Sequence, residues 1–381
     1  MDRCRKGICS IWHINGECAR VSCSIFLYGG EEIYWPGSID RAVSTVIDIF
    51  FQASFYTLFS LLFGFGMQMM KERLETRGHP WRKILFRRLI VLILFGILHS
   101  FLLWHGDILL SYGIIGLFLF FFYSRNVKTL LTWFYFLLLI PAVLMTVLSF
   151  NYKEELEYYI NHERIQAAME NYRSDLTAVL HQNYLDWIYA NGGLNYLFLA
   201  LLLLPMFLIG AVFMRNKWLQ DPVKYDRWLK KLWLLSLIGF VLFKGGPYLF
   251  EERAWLNFLQ DDLGGMASSI FYLLTITLLY QKGIFKKWLK IFEYTGRLSL
   301  TNYIMQSIIC FTLFYGPGFG LYGSVSPLES AGIVFMIYSF QVMFSRWWLS
   351  RFYYGPLEWI WRALTYHQLQ AMKRKRVMSY E

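Results

Sequence analysis

Charged residues are scarce in this sequence: Asp, Glu, Lys and Arg make up 17% of its 381 residues, whereas 56% are hydrophobic. A soluble domain carries about a quarter charged residues. Uncharged runs of roughly 16–22 residues recur along the chain, which is the length that crosses a bilayer core of about 30 Å as a helix. The shortage of charge therefore excludes a soluble enzyme and a disordered tail.

Cysteines and familiar short motifs are also few. Four of the five cysteines, Cys4, Cys9, Cys18 and Cys23, lie near the N-terminus, where two disulfides in an external tail are permissible. The long apolar runs of the chain exclude a secreted module stapled by disulfides. The spacing of the cysteines matches no Cys-x-x-Cys zinc knuckle. The sequence has no Walker loop, no Gly-rich dinucleotide motif and no His-Glu-x-x-His. We expect no metal and no bound cofactor.

Long apolar runs take the place of charge, and they lack the alternation of a membrane barrel strand. The sequence therefore predicts an all-α, polytopic integral membrane bundle of about nine transmembrane helices. The predicted spans are 48–70, 89–104, 107–124, 129–150, 195–214, 232–250, 264–281, 299–316 and 331–348.

Basic residues are unevenly distributed between these spans, and the net charge is +11. The segments 71–88, 215–231 and 282–297 are rich in Lys and Arg, whereas 105–106 and 317–330 have none. The positive-inside rule places the basic segments and the C-terminus in the cytoplasm. The positive charge then serves orientation in the lipid bilayer of a bacterial plasma membrane and not nucleic-acid binding.

The chain divides into five predicted regions. An amphipathic insertion of one or two helices lies outside the membrane and caps the bundle. Short amphipathic helices are predicted on the inner surface at 284–292 and 355–366. The regions are an atypical N-terminal segment, 1–35; a first transmembrane group, 36–150; the insertion, 151–194; a second transmembrane group, 195–366; and a basic cytoplasmic tail, 367–381.

Three ionisable side chains converge on one short turn. The predicted second and third spans are joined by Trp104-His105-Gly106-Asp107, and His99 precedes this turn. Ionisable groups at membrane depth are costly and point to function, and a carboxylate can hold an imidazole in one tautomer as a general base. Two interpretations of His99, His105 and Asp107 stay open: a catalytic group, or helix caps with Asp107 as N-cap of the third span.

Other polar residues form candidate binding groups, each with a structural alternative. Lys244 could bind an anionic substrate group or extend its ammonium to the membrane interface. Asn302, Gln306 and Gln341 could line a passage or form interhelical hydrogen bonds. A cluster near the cytoplasmic surface could bind phosphate or follow from the positive-inside distribution alone. Its members are Arg87, Arg88, Arg297, Glu358 and Arg362.

Several motifs together resemble the YeiB-like family of bacterial multi-pass membrane proteins, which carries a domain of unknown function numbered 418. The resemblance covers roughly 35–370. The family is grouped with transmembrane acyltransferases, and an older description links it to transport. The motifs are LFSLLFGFG at 58–66, the pair Arg87-Arg88, FGILHSFLLWHGDILLSYGIIG at 95–116, GRLSLTNYIMQS at 296–307, GLYG at 320–323 and QVMFSRWWLSRFYYGPLEWIWRALTY at 341–366.

The resemblance implies an enzyme that takes an acyl (acetyl) group from cytoplasmic acyl-CoA, its co-substrate. The acceptor is a hydroxyl or amine of a small molecule or cell-surface glycan on the other side. His99 or His105, oriented by Asp107, would deprotonate this acceptor, and the arginines would pair with the CoA phosphates. The alternative is a membrane transporter of a small solute. A homodimer is compatible with either function.

The N-terminal region departs from the family pattern. Relatives begin with a membrane helix that carries an Asp-x-x-Arg-Gly segment, and the acetylating relatives place their catalytic His soon after it. This sequence shows neither feature. With that helix the bundle would have ten spans and both ends in the cytoplasm. We therefore expect residues 1 to about 25 to lie outside the native reading frame.

Overall fold

The computed structural model describes residues 22–23, 25–29, 34–250, 253–283 and 286–374, with the backbone alone at 25–26 and 286–290. Most of the atypical N-terminal segment lies outside these residues, and so does the predicted departure from the native reading frame. The end of the basic tail also lies outside them. The cysteines outside them are Cys4, Cys9 and Cys18.

Helices account for the architecture of the described residues, in which no strand is present. The helices before the insertion are a turn at Ile25–Tyr28, then α1 (Ser38–Phe50), α2 (Ser54–Thr76), α3 (Trp81–Leu102), α4 (Leu109–Leu117, extended by a 3₁₀ turn at Phe118–Phe121) and α5 (Val127–Phe150). The insertion forms α6 (Lys153–Glu157), α7 (His162–Tyr172) and α8 (Leu176–Asn191). The helices after it are α9 (Leu194–Arg215), α10 (Asp226–Phe240), α11 (Gly265–Gln281), α12 (Lys286–Arg297), α13 (Ser299–Phe314), α14 (Pro327–Arg351) and α15 (Pro356–Tyr366).

Two helices are prolonged by irregular turns that face each other. A π-helical turn at Val241–Gly245 and a 3₁₀ turn at Gly246–Leu249 continue α10. A 3₁₀ turn at Ala254–Leu256 and a π-helical turn at Leu259–Gly264 lead into α11. Gly245, Gly246 and Pro247 explain the loss of regular α-helix after α10, because glycine and proline are the weakest helix formers.

Seven helical segments in the described part of the chain are long and apolar enough to cross a membrane. Two shorter apolar helices, Leu109–Phe121 and Ser299–Phe314, coincide with the predicted spans 107–124 and 299–316. The predicted all-α polytopic membrane bundle is thus confirmed. The count of nine spans and the cytoplasmic C-terminus stay predictions. The seven long segments are Ser38–Thr76 (α1 and α2 together), Trp81–Leu102, Val127–Phe150, Leu194–Arg215, Asp226–Leu249, Leu259–Gln281 and Pro327–Arg351.

Backbone contact between α2 and α9 forms the centre of the bundle. A Cβ atom on Gly64 would collide with the carbonyl oxygen of Phe207, and one on Gly210 would collide with that of Leu61. Small residues allow such close approach in membranes, where van der Waals packing replaces the hydrophobic driving force. The two helices therefore fit together only with glycine at both positions.

The insertion packs over the end of the bundle that carries the α3–α4 turn. It has three helices, where one or two were predicted from the sequence. The backbone N–H of Gly316 donates to the carbonyl of Tyr172 at 2.7 Å, and the rings of Tyr172 and Tyr315 stack with centroids 4.6 Å apart. The side chain of Arg173 donates to the carbonyl of Tyr322 at 2.7 Å. These contacts join α7 to the loop between α13 and α14.

Candidate active site

One cavity of about 420 Å³ lies between helices α2, α3, α4, α13 and α15. Ligand sites of this size are usually apolar clefts with a few placed polar groups, and most of the side chains here are apolar. The lining residues are Phe59, Leu62, Phe63, Gly66, Met67, Met69, Met70, Arg73, Leu74, Arg77, Arg88, Leu92, Ile108, Leu109, Tyr112, Ser299, Leu300, Tyr303, Trp361, Arg362 and Tyr366.

Positive charge is concentrated at one end of this cavity, called the arginine end and formed by Arg73, Arg77, Arg88 and Arg362. No Asp or Glu is present among the described residues that line the cavity. Arginine presents several donors in a fixed fork that suits carboxylates and phosphates. The arginine end can therefore hold an anionic group such as a carboxylate or a phosphate.

Tyr112 and Tyr303 mark the opposite end, called the tyrosine end. At about 1.5 Å per residue, the stretch from Phe59 in α2 to Arg77, the residue that directly follows α2, covers about 27 Å. That length approaches the thickness of a bilayer core, about 30 Å. The cavity therefore extends along most of a membrane-spanning helix, from the arginines towards the α3–α4 turn.

The tyrosine end is connected by hydrogen bonds to the buried pair His99 and Asp107. The hydroxyl of Tyr303 donates to Asp107 Oδ1 at 3.0 Å. Asp107 Oδ1 lies 2.8 Å from His99 Nδ1, and both side chains are fully buried. The other imidazole nitrogen, Nε2, lies 2.8 Å from Ser307 Oγ. A carboxylate at Nδ1 fixes the ring orientation and favours a proton on Nδ1, which leaves Nε2 as the basic nitrogen.

Asp107 also accepts a hydrogen bond that belongs to a helix cap. Its Oδ2 accepts from the backbone N–H of Leu110 at 2.6 Å, in the first turn of α4. The sequence left two interpretations open, a helix cap and a partner of histidine. The carboxylate of Asp107 makes the contacts of both. A catalytic role for His99 and Asp107 stays a prediction.

His105 faces a second carboxylate, Asp186 of α8. His105 Nδ1 is 3.7 Å from Asp186 Oδ2 and 3.3 Å from the hydroxyl of Tyr172. Asp186 is fully buried and accepts from Tyr28, Tyr172 and Gln182 at 2.5, 2.8 and 2.6 Å. Burial raises the pKa of Tyr172, so this hydroxyl stays a neutral donor.

Arg88 and Arg362, two members of the predicted phosphate cluster, do line the cavity. The guanidinium of Arg88 lies 3.6 Å from the ring centroid of Trp361, and the indole N–H of Trp361 donates to the carbonyl of Arg88 at 3.1 Å. Arg362 Nε donates to Gln370 Oε1 at 3.0 Å. These contacts hold both guanidinium groups at the arginine end through α15.

The other three members of that cluster do not line the cavity. Arg87 follows the same helix but contributes nothing to the lining, and Arg297 donates to the carbonyl of Tyr353 at 3.0 Å. Glu358 accepts from the backbone N–H groups of Leu300 and Thr301 at 2.7 and 3.0 Å. Its carboxylate thus caps the N-terminus of α13 from α15, although burial raises its pKa.

The polar residues of α13 and α14 are engaged with each other. Asn302 Nδ2 donates to Ser345 Oγ at 3.0 Å, and Gln341 Nε2 donates to the carbonyl of Asn302 at 2.8 Å. Gln306 is buried and, like Asn302, lies outside the cavity lining. This is the interhelical hydrogen bonding that the sequence left open as an alternative. On α13, Tyr303 lines the cavity, and a passage lined by Asn302 and Gln306 stays a prediction.

Lys244 is enclosed within the irregular turns that follow α10. Its side chain is fully buried, and its ammonium lies 3.1 Å from Asp261 Oδ1. The ammonium is therefore paired with a carboxylate whose own side chain is 31% exposed. A role in binding an anionic substrate stays a prediction, and it would require competition with Asp261.

Four residues were not predicted from the sequence. Arg73, Arg77 and Tyr303 line the cavity, and Asp186 faces His105. The first two lie on the same face of α2 as Gly66, at helical spacing, so periodicity could have found them. Tyr303 belongs to a motif that had already been singled out. Asp186 carried no local signal, because its partner His105 is far away in the sequence.

Comparison with known proteins identifies the family of this chain. A family model described as "Protein of unknown function (DUF418)" matches residues 213–368. The chain is 35% identical over 346 residues to the uncharacterized protein YxaH of Bacillus subtilis, covering 88% of this chain and 85% of that protein. It is 31% identical over 362 residues to the uncharacterized protein YeiB of Escherichia coli, covering 87% of each. No solved structure matches the chain. The family expected from the motifs is confirmed, and the chain belongs to the DUF418 family of multi-pass membrane proteins.

Proposed function

We propose that this protein resides in the bacterial plasma membrane and transfers an acyl group from cytoplasmic acyl-CoA to a hydroxyl or amine on the other side. The observation that carries the proposal is the cavity, because it joins an arginine end to a tyrosine end that contacts His99 and Asp107. The positive-inside orientation makes the arginine end cytoplasmic, where acyl-CoA is available. The acceptor is a small molecule or a cell-surface glycan.

The two ends of the cavity suit the two ends of acyl-CoA. The arginines bind the phosphates, Arg88 from α3 and Arg362 from α15, while the apolar wall of α2 accommodates the arm that carries the thioester. His99 Nε2 accepts the proton of the attacking group, and Asp107 stabilises the imidazolium that forms. Overall, the C–S bond of the thioester breaks, an ester or amide forms, and CoA leaves as the thiol.

Binding of acetyl-CoA tests this proposal, measured as a thermal shift of the detergent-purified protein with free CoA and an unrelated nucleotide as controls. Gly66 offers a sharp variant, because a Cβ added there meets nothing within 4 Å and enters the cavity. Gly66→Leu should obstruct the cavity without disturbing the fold and abolish the shift.

Gly332→Leu is the matched control, since a Cβ at this exposed position of α14 also meets nothing within 4 Å. It should respond to acetyl-CoA as the unchanged protein does. An equal shift in Gly66→Leu would exclude the cavity as the binding site. No shift in any of the three proteins would reject acyl-CoA as the donor and favour transport.

The histidines provide the second test, once an acceptor is found. We expect His99→Ala to lower the transfer rate by about 10²–10⁴-fold, the usual contribution of a general base. His105→Ala should have the smaller effect, because Asp107 orients His99. Full activity in both variants would remove the histidines from the mechanism.

Transport of a small solute is the second candidate, and the irregular turns around Lys244 favour it. Discontinuous helices form the substrate sites of many secondary transporters, and the buried Lys244 pairs with Asp261 where two π-helical turns meet. A solute-uptake screen in proteoliposomes tests this candidate, with Lys244→Met as the variant expected to lose uptake. If neither the unchanged protein nor Lys244→Met takes up a solute, the transport function is rejected.

A further inference from the structure

Ser307 lies on the opposite side of the His99 ring from Asp107. The distances are 2.8 Å from Asp107 Oδ1 to His99 Nδ1 and 2.8 Å from His99 Nε2 to Ser307 Oγ. A carboxylate, an imidazole and a hydroxyl in this order are the arrangement that activates a serine as a nucleophile, whichever fold carries it. The three residues come from α3, the α3–α4 turn and α13, and all are buried.

We propose that Ser307 is the nucleophile of the reaction and carries the acyl group as a covalent ester between the two substrates. This proposal rests on the acyl transfer proposed above. It adds a residue that the sequence did not single out as catalytic, and it replaces a single direct transfer by two half-reactions.

The first half-reaction consumes acyl-CoA. Ser307 Oγ attacks the thioester carbonyl, a bond forms between Oγ and the carbonyl carbon, and the C–S bond breaks. His99 accepts the proton of Ser307 and passes it to the departing sulfur, so CoA leaves as the thiol. In the second half-reaction an acceptor hydroxyl or amine attacks the acyl-serine, and its proton returns through His99 to Ser307. No oxidant, reductant or further co-reactant is required.

The position of Ser307 on α13 brings it next to the cavity. It lies one helical turn beyond Tyr303, about 6 Å along the axis, and Tyr303 lines the tyrosine end. Its hydroxyl also lies 3.3 Å from the carbonyl oxygen of Tyr303. A thioester that reaches the tyrosine end is therefore one turn away from Ser307, and Tyr303 must turn aside to admit it.

The neighbouring hydroxyl groups have different partners. Thr301 Oγ1 donates to Glu358 Oε2 at 2.5 Å, and Ser345 Oγ is paired with Asn302 at 3.0 Å. Of these three hydroxyls on α13 and α14, that of Ser307 lies within hydrogen-bond distance of an imidazole nitrogen, His99 Nε2. The geometry thus selects Ser307 as the hydroxyl that a base can activate.

A covalent intermediate also suits a reaction between two sides of a membrane. CoA leaves towards the cytoplasm before the acceptor arrives, so the bundle never holds a passage open at both faces. Burial of Ser307, which is 3% exposed, keeps water away from the ester, which would otherwise be hydrolysed.

Isotope exchange tests this proposal without knowledge of the acceptor. The full-length protein is incubated with acetyl-CoA and isotopically labelled free CoA, with no acceptor present. An acyl-enzyme returns its acetyl group to labelled CoA, so label appears in acetyl-CoA. We expect exchange with the unchanged protein, and a rate at least about 10³-fold lower for Ser307→Ala.

Ser345→Ala is the matched control, because it removes a buried hydroxyl from the adjoining helix without touching His99. Its exchange rate should stay within about threefold of the unchanged protein. An acid-quenched peptide map of the unchanged protein gives an answer even if Ser307→Ala does not fold. The acetyl mass should then be found on the peptide that contains Ser307.

Each outcome has a definite meaning. A thermal shift with acetyl-CoA but no exchange and no acetylated peptide would overturn the role of Ser307 and leave a direct transfer. Exchange at the original rate in Ser307→Ala, or acetyl on another peptide, would also overturn it. Neither shift nor exchange would reject the proposed acyl transfer itself.

Discussion

Two histidines six positions apart are held by carboxylates of entirely different origin. His99 is paired with Asp107, eight positions along the chain, and the pair is fully buried beside the cavity. His105 faces Asp186, which belongs to the insertion and lies on another helix. The first pair belongs to the bundle, whereas the second joins the bundle to the insertion.

The difference shows what each pair can do. The shorter distance, 2.8 Å against 3.7 Å, and the complete burial make His99 the imidazole with one fixed orientation. His105 keeps a side chain that is 10% exposed, and Asp186 is occupied by two tyrosines and a glutamine. We therefore expect chemistry at His99 and structural linkage at His105.

Asp107→Asn is expected to have the largest effect, because it separates the two roles of this carboxylate. Asparagine is as good an N-cap as aspartate, so α4 should keep its cap. The amide offers one acceptor oxygen where Asp107 uses two, so the protein should be destabilised by about 1–3 kcal/mol. The amide cannot stabilise an imidazolium, and we expect the CoA exchange rate to fall by about 10²–10⁴-fold. An exchange rate unchanged by this substitution would leave Asp107 with the cap as its only role.

Arg88→Gln should have the next largest effect, on the affinity for acetyl-CoA. Hydrogen bonds to charged groups contribute about 1.5–3 kcal/mol, so the Kd should rise by about 10–100-fold. Arg87→Gln is the control, since Arg87 is adjacent but does not line the cavity. Equal losses in the two variants would point to general surface charge in place of a specific phosphate site.

Asp186→Asn sharpens the comparison from the other pair. One acceptor oxygen is lost among three donors, which should destabilise the insertion by about 1–3 kcal/mol. Hydrogen exchange should speed up in α7 and α8 while the CoA exchange rate stays within about fivefold of the original. A loss of activity as large as that of Asp107→Asn would contradict the division of roles.

Glu358→Gln should have the smallest effect, and a pH-dependent one. Burial raises the pKa of Glu358 above the ordinary glutamate value, so its stabilising contribution is present at low pH and is lost as the pH rises through the raised pKa. The melting temperature of the unchanged protein should therefore fall relative to that of Glu358→Gln over this interval. A difference independent of pH would show that the carboxyl does not titrate there.

The spans and the short α3–α4 turn could be predicted from the sequence, because hydropathy and turn length are local properties. The position of Asp107 beside His99 was predicted correctly for the same reason, because the short turn of the hairpin keeps the two residues close together. Glu358 could not be assigned to the N-terminus of α13, because that contact depends on how α15 packs. The arginine cluster was likewise divided by packing, which brings Arg88 into the cavity and leaves Arg87 outside it.

The insertion shows the same limit more strongly. Its amphipathic pattern predicted helices, but the polar residues of α8 gave no sign of a partner. Asp186 meets His105 only after three helices fold back over the α3–α4 turn. Such long-range polar pairs depend on tertiary packing, which no periodicity in the sequence records.

Close packing at Gly64 and Gly210 has a consequence for how this protein moves. Helices α2 and α9 interlock backbone to backbone, so α9 stiffens α2, which forms one wall of the cavity. A substrate as bulky as a coenzyme needs an entrance that widens, and this wall cannot supply it. The opposite wall, α13 with α15, is joined by the single carboxylate of Glu358 and by side chains. We expect α13 and α15 to move apart when the substrate enters. An inhibitor bound between these two helices would then hold the protein in one conformation.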